Sequence, residues 1–209
     1  MKMLILSDIH YPSATLGEIS RIIKSEKPSN LVLLGDNLEL ELFKKKDLAY
    51  KEFLSKLDKI FPLRKSIIML GDNDYTYYSG EEIPKILDSF SPINKREYFV
   101  FRIGNMNFFH GNLEKSLIVE KIGYHFVKHV SRIHINIAPY ILSSLVRFYF
   151  GLPIGEYLFL GHLHYLGILG KNVFCGTLGE KSNIFKSSLG YVTVEHKNFE
   201  VKSISLHHI

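Results

Sequence analysis

Five short polar clusters each follow an apolar run of the kind that forms a buried strand. They are Asp8-Ile9-His10, Gly35-Asp36-Asn37-Leu38-Glu39, Gly71-Asp72-Asn73-Asp74, His110-Gly111 and Gly161-His162-Leu163-His164. In α/β sheets, ligand sites form outside the carboxyl ends of the strands. These five strand ends could therefore converge on one site.

The side chains of these clusters are of the types that bind metal ions. Three carboxylates and four imidazoles stand in them: Asp8, Asp36, Asp72, His10, His110, His162 and His164. Such a set exceeds what one ion needs, and it suits two divalent ions that share a bridging carboxylate. No thiolate takes part, which disfavours a structural zinc cluster. Each cluster alone has an ordinary explanation as a turn or a surface pair, and only their joint occurrence indicates a metal site.

The elements that must position these clusters alternate between strand and helix in the first half. Apolar periodicity predicts strands over Lys2–Ser7, Leu31–Leu34 and Ser66–Leu70, and helices over Thr15–Glu26, Lys44–Ile60 and Glu82–Phe90. The second half begins with a hairpin of Glu97–Ile103 and Met106–Phe109 around Gly104-Asn105, followed by a mostly helical stretch, Leu113–Phe150. A strand over Glu156–Leu160 and three or four more short strands complete it, with turns at Gly170-Lys171 and His196-Lys197-Asn198. This order predicts a layered α/β fold.

Composition limits the class of protein. The 209 residues suffice for one sizeable domain, and 46% hydrophobic with 22% charged residues excludes disorder of the whole chain. The single cysteine, Cys175, excludes an intramolecular disulfide; it fits a reducing compartment and a small buried apolar side chain. The apolar start is too short for a secretory signal and is interrupted by Asp8, so we expect a cytoplasmic protein.

Two uncharged stretches, Ile133–Val146 and Tyr157–Gly170, are shorter than the roughly 20 residues that a membrane-spanning helix needs. Contact with a membrane surface stays open. The net charge of +5 suits an anionic substrate and equally an ordinary solvated surface.

In their order the five clusters resemble the calcineurin-like metallophosphoesterase family. Its pattern runs Asp-x-His, Gly-Asp-x-x-Asp, Gly-Asn-His-Asp or -Glu, His, and then Gly-His-x-His, and the match spans residues 8–164. The resemblance implies a β-sandwich flanked by helices, as a single metallophosphoesterase domain over residues 1–209. A helical insert or cap over residues 112–155 would lie within it.

The resemblance also implies a binuclear centre. One metal would be held by Asp8, His10, His164 and the bridging Asp36, and the other by Asp36, Asp72, His110 and His162. A hydroxide bridging the ions would attack phosphorus, with the metals lowering the pKa of water and neutralising charge. Manganese is the expected ion, and iron, zinc or cobalt also suit these ligands. The implied activity is hydrolysis of a phosphodiester or diphosphate bond.

Three residues depart from the family pattern. Asp72 replaces the usual asparagine, so two divalent ions and three carboxylates leave one positive charge instead of two; this favours diesters or diphosphates over dianionic monoesters. Asn73 stands where the family often has a catalytic histidine, and it can donate a hydrogen bond but not a proton. Glu39 ends the second motif. We expect Glu39, like Asp74, to orient a ligand, although Glu39 also fits a plain surface residue.

Glu39 and Asn73 are similar to residues of the hydrolases that cleave UDP-2,3-diacylglucosamine, a branch that also carries a helical insert. The insert of this chain fits a helical hairpin packed on the fold, a homodimer interface, or a cap with an apolar groove for acyl chains and peripheral membrane contact. If it covers the site, His125, His129 or His134 could supply an acid; otherwise these are solvated histidines.

The substrate is therefore expected to be a phosphate ester or diphosphate, lipid- or nucleotide-linked. Nucleic acid is disfavoured because no aromatic and basic alternation indicates a strand-binding channel. The alternative function is a catalytically weakened, metal-binding scaffold for protein–protein interaction, since some relatives keep the fold without catalysis. Asp72 and Asn73 would then be signs of decay, but all seven ligand positions still hold residues able to bind metal.

Overall fold

Parallel strands joined by helices form the first part of the chain. The computed structural model describes residues 1–71, 74, 100–111, 129, 137–179 and 189–209. Strands β1 (Lys2–Leu6), β2 (Asn30–Leu34) and β3 (Ser66–Met69) pair in parallel. Helix α1 (Leu16–Glu26) joins β1 to β2, and α2 (Lys46–Ile60) joins β2 to β3. These elements confirm the predicted ones, with shifted ends; the helix predicted over 82–90 lies outside the described residues.

Helix α1 shows why these boundaries fall where they do. Thr15 Oγ1 accepts a hydrogen bond from Glu18 N at 3.2 Å, and Thr15 N donates to Glu18 Oε2 at 2.7 Å. This reciprocal pair satisfies backbone groups that the first helical turn leaves open. The helix ends at Glu26, and the next residue, Lys27, has a left-handed backbone with φ 48° and directly precedes Pro28.

The second sheet begins with the predicted hairpin. Strands β4 (Phe101–Ile103) and β5 (Met106–Phe109) are antiparallel around Gly104-Asn105. β6 (Tyr157–Leu160), β7 (Leu166–Leu169) and β8 (Asn172–Cys175) complete the sheet in the order β4-β5-β6-β8-β7. Glu156, predicted as the first residue of a strand, lies before β6, where its carboxylate accepts a hydrogen bond from Asn107 Nδ2 at 3.0 Å.

The last two strands return to the first sheet and differ from prediction. β9 (Gly190–Lys197) pairs antiparallel with β1, and β10 (Glu200–His208) pairs with β9, giving the order β10-β9-β1-β2-β3. They span eight and nine residues, so the prediction of short strands is wrong here. The turn predicted over His196-Lys197-Asn198 instead lies at Asn198 and Phe199, which both have positive φ. The His196 ring stacks on Phe199 at a centroid distance of 5.1 Å, which keeps His196 within β9.

The two sheets pack face to face and helices cover their outer faces. Met3 and Ile5 of β1 point into the core between the sheets, whereas Leu4 and Leu6 pack beneath α1 and α2. On the second sheet, α3 (Ile137–Phe150) covers an outer cluster that includes Phe109. The expected β-sandwich flanked by helices is thus confirmed. Cys175 is fully buried between the sheets, as predicted for an apolar packing residue.

Of the predicted insert, residues 112–155, the structure describes α3, the residues after it, and His129. The single-domain organisation and the capping role of the insert stay predictions. Among the described residues, no helix combines the length and apolar character needed to cross a lipid bilayer.

His196 generates a prediction about acid stability. It is 2% exposed, and neither ring nitrogen has a hydrogen-bond partner among the described residues. Burial, aided by the N-terminal ammonium, lowers the pKa of His196. The unfolded chain, in which the pKa of His196 is about 6.5, therefore binds the proton more readily than the folded chain. As a result, the free energy of unfolding keeps its full value above about pH 6.5 and decreases as the pH falls below it.

We expect His196→Phe to keep the stack on Phe199 and to raise the free energy of unfolding by about 1 kcal/mol at pH 8. The gain should grow at pH 5.5, as measured by denaturant unfolding at both pH values. His208→Phe, a change at an exposed histidine of β10, is the control. An equal loss of stability on acidification in wild type and His196→Phe would contradict this assignment.

Candidate metal centre

The loops after β1 and β2 run side by side and bring the first predicted ligands together. Asp8 N donates to Gly35 O at 3.1 Å, and His10 N donates to Asp36 O at 2.9 Å. These bonds continue the pairing of the two parallel strands beyond their ends. They fix Asp8 and His10 against Asp36 at the carboxyl edge of the first sheet.

The backbone at this edge is unusual. Left-handed φ values occur at five candidate ligands: Asp8 (50°), His10 (48°), Asp36 (48°), His162 (63°) and His164 (49°). For residues other than glycine, this conformation costs of order 1–3 kcal/mol each and persists where surrounding contacts impose it. Residues in strained backbone conformations are typically concentrated at functional sites.

The six described candidate ligands form two groups. Within each group, the ligand-capable atoms lie within 4.8 Å of one another; the groups are Asp8, His10 and His164, and Asp36, His110 and His162. Asp36 Oδ2 lies 3.4 Å from His110 Nε2 and 3.9 Å from His10 Nε2. Asp36 therefore belongs to one group and borders the other.

Both sheets contribute to this arrangement. Asp8, His10 and Asp36 follow strands of the first sheet, whereas His110 and His162 follow β5 and β6 of the second. Asp72 and Asn73, predicted as a ligand and a catalytic residue, lie outside the described residues.

The carboxylate of Asp8 is held from two sides. Its Oδ2 accepts hydrogen bonds from the hydroxyl of Ser7 and from His162 N, the latter at 3.0 Å. Its Oδ1 lies 3.2 Å from His164 Nε2. Burial acts to raise the pKa of Asp8, but the imidazoles of His110, His164 and His10 outweigh it and hold this pKa well below its usual range. Asp8 is therefore ionised.

The backbone carbonyl of Asp8 accepts hydrogen bonds from the segment after β8. Thr177 Oγ1 donates to Asp8 O at 2.8 Å, and Leu178 N and Gly179 N donate to the same oxygen at 3.2 and 3.1 Å. These contacts impose the left-handed conformation of Asp8. Sequence analysis missed Ser7 and Thr177. Ser7 directly follows β1 and could have been found by the strand-end rule, whereas Thr177 contacts a backbone carbonyl and leaves no side-chain pattern to find.

Two histidines are oriented by their Nδ1 atoms. His110 Nδ1 donates to Leu34 O at 2.6 Å, since a carbonyl oxygen can only accept. His10 Nδ1 lies 3.0 Å from Glu39 Oε2 and donates to that carboxylate. Each contact places the proton on Nδ1, so Nε2 is the nitrogen with a lone pair to offer a metal.

Asp74 lies beneath the site and contacts backbone. Its carboxylate accepts hydrogen bonds from Asn37 N at 3.0 Å, Leu38 N at 3.1 Å and Gly71 N at 3.1 Å. Burial, together with the charge of Asp36, raises the pKa of Asp74 to about 7. Asp74 therefore ties the loop that carries Asp36 to the loop after β3.

The other histidines of the chain are not among these candidate ligands. His196, His207 and His208 are on β9 and β10, and His129 is exposed on a helix. His125 and His134 lie outside the described residues.

Solved structures with the same fold include two at low sequence identity. YfcE, a phosphoesterase from E. coli, is 14% identical, with a TM-score of 0.52 and coverage of 100% of both chains. A single mutant of Vps29 from Entamoeba histolytica is 14% identical, with a TM-score of 0.51, covering 96% of this chain and 89% of that one. No protein-family model and no curated protein matches the chain. These likenesses establish the fold.

Glycines at the strand ends let the loops approach the ligands. A Cβ on Gly71 would collide with the Asp36 carboxylate, and one on Gly161 would lie 2.9 Å from His110 Nδ1 and 3.1 Å from Asp8 Oδ2. The glycines of the Gly-Asp and Gly-His motifs are thus required by space around the carboxylates and imidazoles.

Gly71→Ala is accordingly expected to lower the free energy of unfolding by about 1–3 kcal/mol, the usual cost of overpacking a filled core. Gly155→Ala is the matched control, because a Cβ there would have no atom within 4 Å. Denaturant unfolding of both variants measures the difference. Equal stability of the two variants would show that the contact between Gly71 and Asp36 is not tight.

Proposed function

We propose that this chain is a metal-dependent phosphoesterase that hydrolyses a phosphodiester or diphosphate bond at a binuclear centre. The observation that supports this proposal is the pair of ligand groups that meet at Asp36, whose Oδ2 lies within 3.4 Å of His110 Nε2 and 3.9 Å of His10 Nε2. A carboxylate in this position could serve as a ligand to ions held by both groups.

The donor set fits divalent metal ions. Each group combines one carboxylate with two imidazoles, a mixture that suits manganese, iron, zinc and cobalt. Asp8, His10 and His164 would hold one ion and His110 and His162 the other, with Asp36 between them and Asp72 completing the second set. Divalent ions bound there supply Lewis-acid chemistry, lowering the pKa of water and neutralising charge that develops on a phosphoryl group.

The protein prepares this chemistry by orientation. Ser7 and the backbone of His162 hold one oxygen of Asp8, while Glu39 and the Leu34 carbonyl set the rings of His10 and His110. Preorganised ligands cost no rearrangement when a substrate arrives.

Substrate approaches from the side of His164 and Glu39. Their side chains are 20% and 21% exposed, whereas those of Asp8 and Asp36 are 0% and 3% exposed. A phosphoryl group entering from this side would meet His164 before the buried carboxylates of Asp8 and Asp36. Asn73, the neighbour of Asp72, is our candidate for a hydrogen bond to that group.

The substrate class follows from the ligand charges. With Asp72 as a third carboxylate, the centre retains little positive charge, which favours diesters and diphosphates, lipid- or nucleotide-linked. A relation to the UDP-2,3-diacylglucosamine hydrolases stays a prediction from Glu39, Asn73 and the insert.

The decisive test is hydrolysis of bis-p-nitrophenyl phosphate by protein that has been stripped with EDTA and resupplied with Mn²⁺. We expect activity in wild type and in Glu200→Gln, which changes an exposed carboxylate of β10. Asp36→Asn should abolish it, because an amide lacks the negative charge and the second oxygen of the carboxylate. The monoester p-nitrophenyl phosphate should be the poorer substrate.

Inactivity of the wild type with manganese, iron, zinc and cobalt would indicate the alternative, a scaffold for protein–protein interaction. A strong preference for the monoester would contradict the charge argument for Asp72 while leaving the phosphoesterase activity intact.

Glu39 is a proposed positioning residue, because it acts through His10. Glu39→Ala should weaken Mn²⁺ binding, measured by isothermal titration calorimetry, by about 10–100-fold. Glu39→Gln keeps an oxygen that accepts from His10 Nδ1 and should recover most of this loss. Glu41→Ala, at an exposed glutamate nearby, is the control. If Glu39→Ala binds Mn²⁺ as tightly as wild type, Glu39 is a plain surface residue.

A further inference from the structure

The one charged side chain of α3, Arg147, makes its hydrogen bonds to other parts of the same chain. Arg147 Nε donates to Asn172 Oδ1 at 2.7 Å, and its guanidinium also donates to Pro153 O at 2.6 Å and Glu156 O at 2.8 Å. The guanidinium therefore fastens the helix to the segment before β6 and to the start of β8. No other residue between Ile137 and Phe150 is charged.

The solvent side of α3 is apolar. Tyr140, Leu145, Phe148 and Tyr149 are 63%, 52%, 89% and 70% exposed in the folded chain. Their spacing places them, with Ser144, on one side of the helix. Ser144 Oγ donates to Tyr140 O at 2.8 Å, so the hydroxyl on this face is satisfied within the helix.

This surface, which we call the α3 face, is large for a monomer. With Ile154, 85% exposed in the turn after α3, these side chains present about 700 Å² at roughly 200 Å² for each large apolar residue. Monomeric proteins rarely expose contiguous apolar patches larger than a few hundred Å². A stable protein interface buries about 800 Å² on each partner, which the α3 face nearly supplies by itself.

We propose that the α3 face is the interface of a homodimer, in which α3 packs against α3 of a second copy about a two-fold axis. Interface cores of homodimers are depleted in charge and rich in tyrosine and phenylalanine, as this face is. A membrane surface is a poorer match, because interfacial helices carry lysine and arginine on their polar side and the one arginine of α3 is turned inward.

The pattern of side-chain sizes is self-complementary. Tyr140, Ser144 and Phe148 follow one another at intervals of four residues, a small side chain between two large ones. In an antiparallel pairing about a two-fold axis at Ser144, Tyr140 of one copy lies against Phe148 of the other. The small residue leaves room for the helices to approach at the axis.

Analytical ultracentrifugation of the full chain tests the proposal. Wild type should sediment as a dimer at micromolar concentration. Phe148→Asp should weaken dimerisation at least about 30-fold, since it places a charge in both halves of an apolar contact. Leu48→Asp, at a leucine of α2 that is 57% exposed outside the α3 face, should remain dimeric. Tyr140→Lys is a second variant if Phe148→Asp melts at a lower temperature than wild type.

A cysteine at the axis provides an independent measurement. Ser144→Cys should form a disulfide-linked dimer under mild oxidation, while wild type should not, because its only cysteine, Cys175, is buried. A monomeric wild type, or a dimer that persists in both Phe148→Asp and Tyr140→Lys, would overturn the proposal. A monomer that co-sediments with anionic phospholipid vesicles in a Phe148-dependent way would overturn it in favour of lipid binding.

Discussion

The parallel register of β1 against β2 is the constraint on which the site depends. Leu6 pairs with Leu33, and beyond the strand ends the two loops stay joined by hydrogen bonds from Asp8 N to Gly35 O and from His10 N to Asp36 O. A slip of one residue would exchange the two faces of β1 and turn its apolar side chains to the wrong layers. It would also separate the Asp8 carboxylate from Asp36. The hydrophobic layers and the ligand geometry are therefore set by one pairing.

Burial of carboxylates is the main energetic cost of this arrangement, and the protein offsets it in two ways. Asp8, Asp36 and Asp74 are nearly or fully buried, and an isolated buried charge is strongly unfavourable. Around Asp8, nearby imidazoles and hydrogen bonds stabilise the ionised form. Around Asp74, backbone N–H groups compensate only in part, and its pKa rises to about 7. Neighbouring carboxylates in the fold thus differ in role: Asp8 is an ionised candidate ligand, and Asp74 joins two loops.

Much of this architecture could be predicted from the sequence because strands buried on both faces read as apolar runs and end at polar residues. That rule located Asp8, Asp36 and the histidines after β5 and β6. It could not predict the hydrogen bond from Thr177 to Asp8, because the acceptor is a backbone carbonyl and no side-chain pattern in the sequence indicates such a contact. The β9–β10 turn was misplaced because phenylalanine is an uncommon residue in a left-handed turn position. There the stack of His196 on Phe199 outweighs local preference.

The hydrogen bonds from Thr177 and His162 to Asp8 have a consequence for biosynthesis. The two contacts join residues that are 169 and 154 positions apart in the chain. Contacts of such high sequence separation form only after the intervening chain has been made and collapsed. A nascent chain on the ribosome therefore carries Asp8 and His10 early but cannot lock them in their final conformation. The candidate metal site is therefore complete only after both sheets have formed.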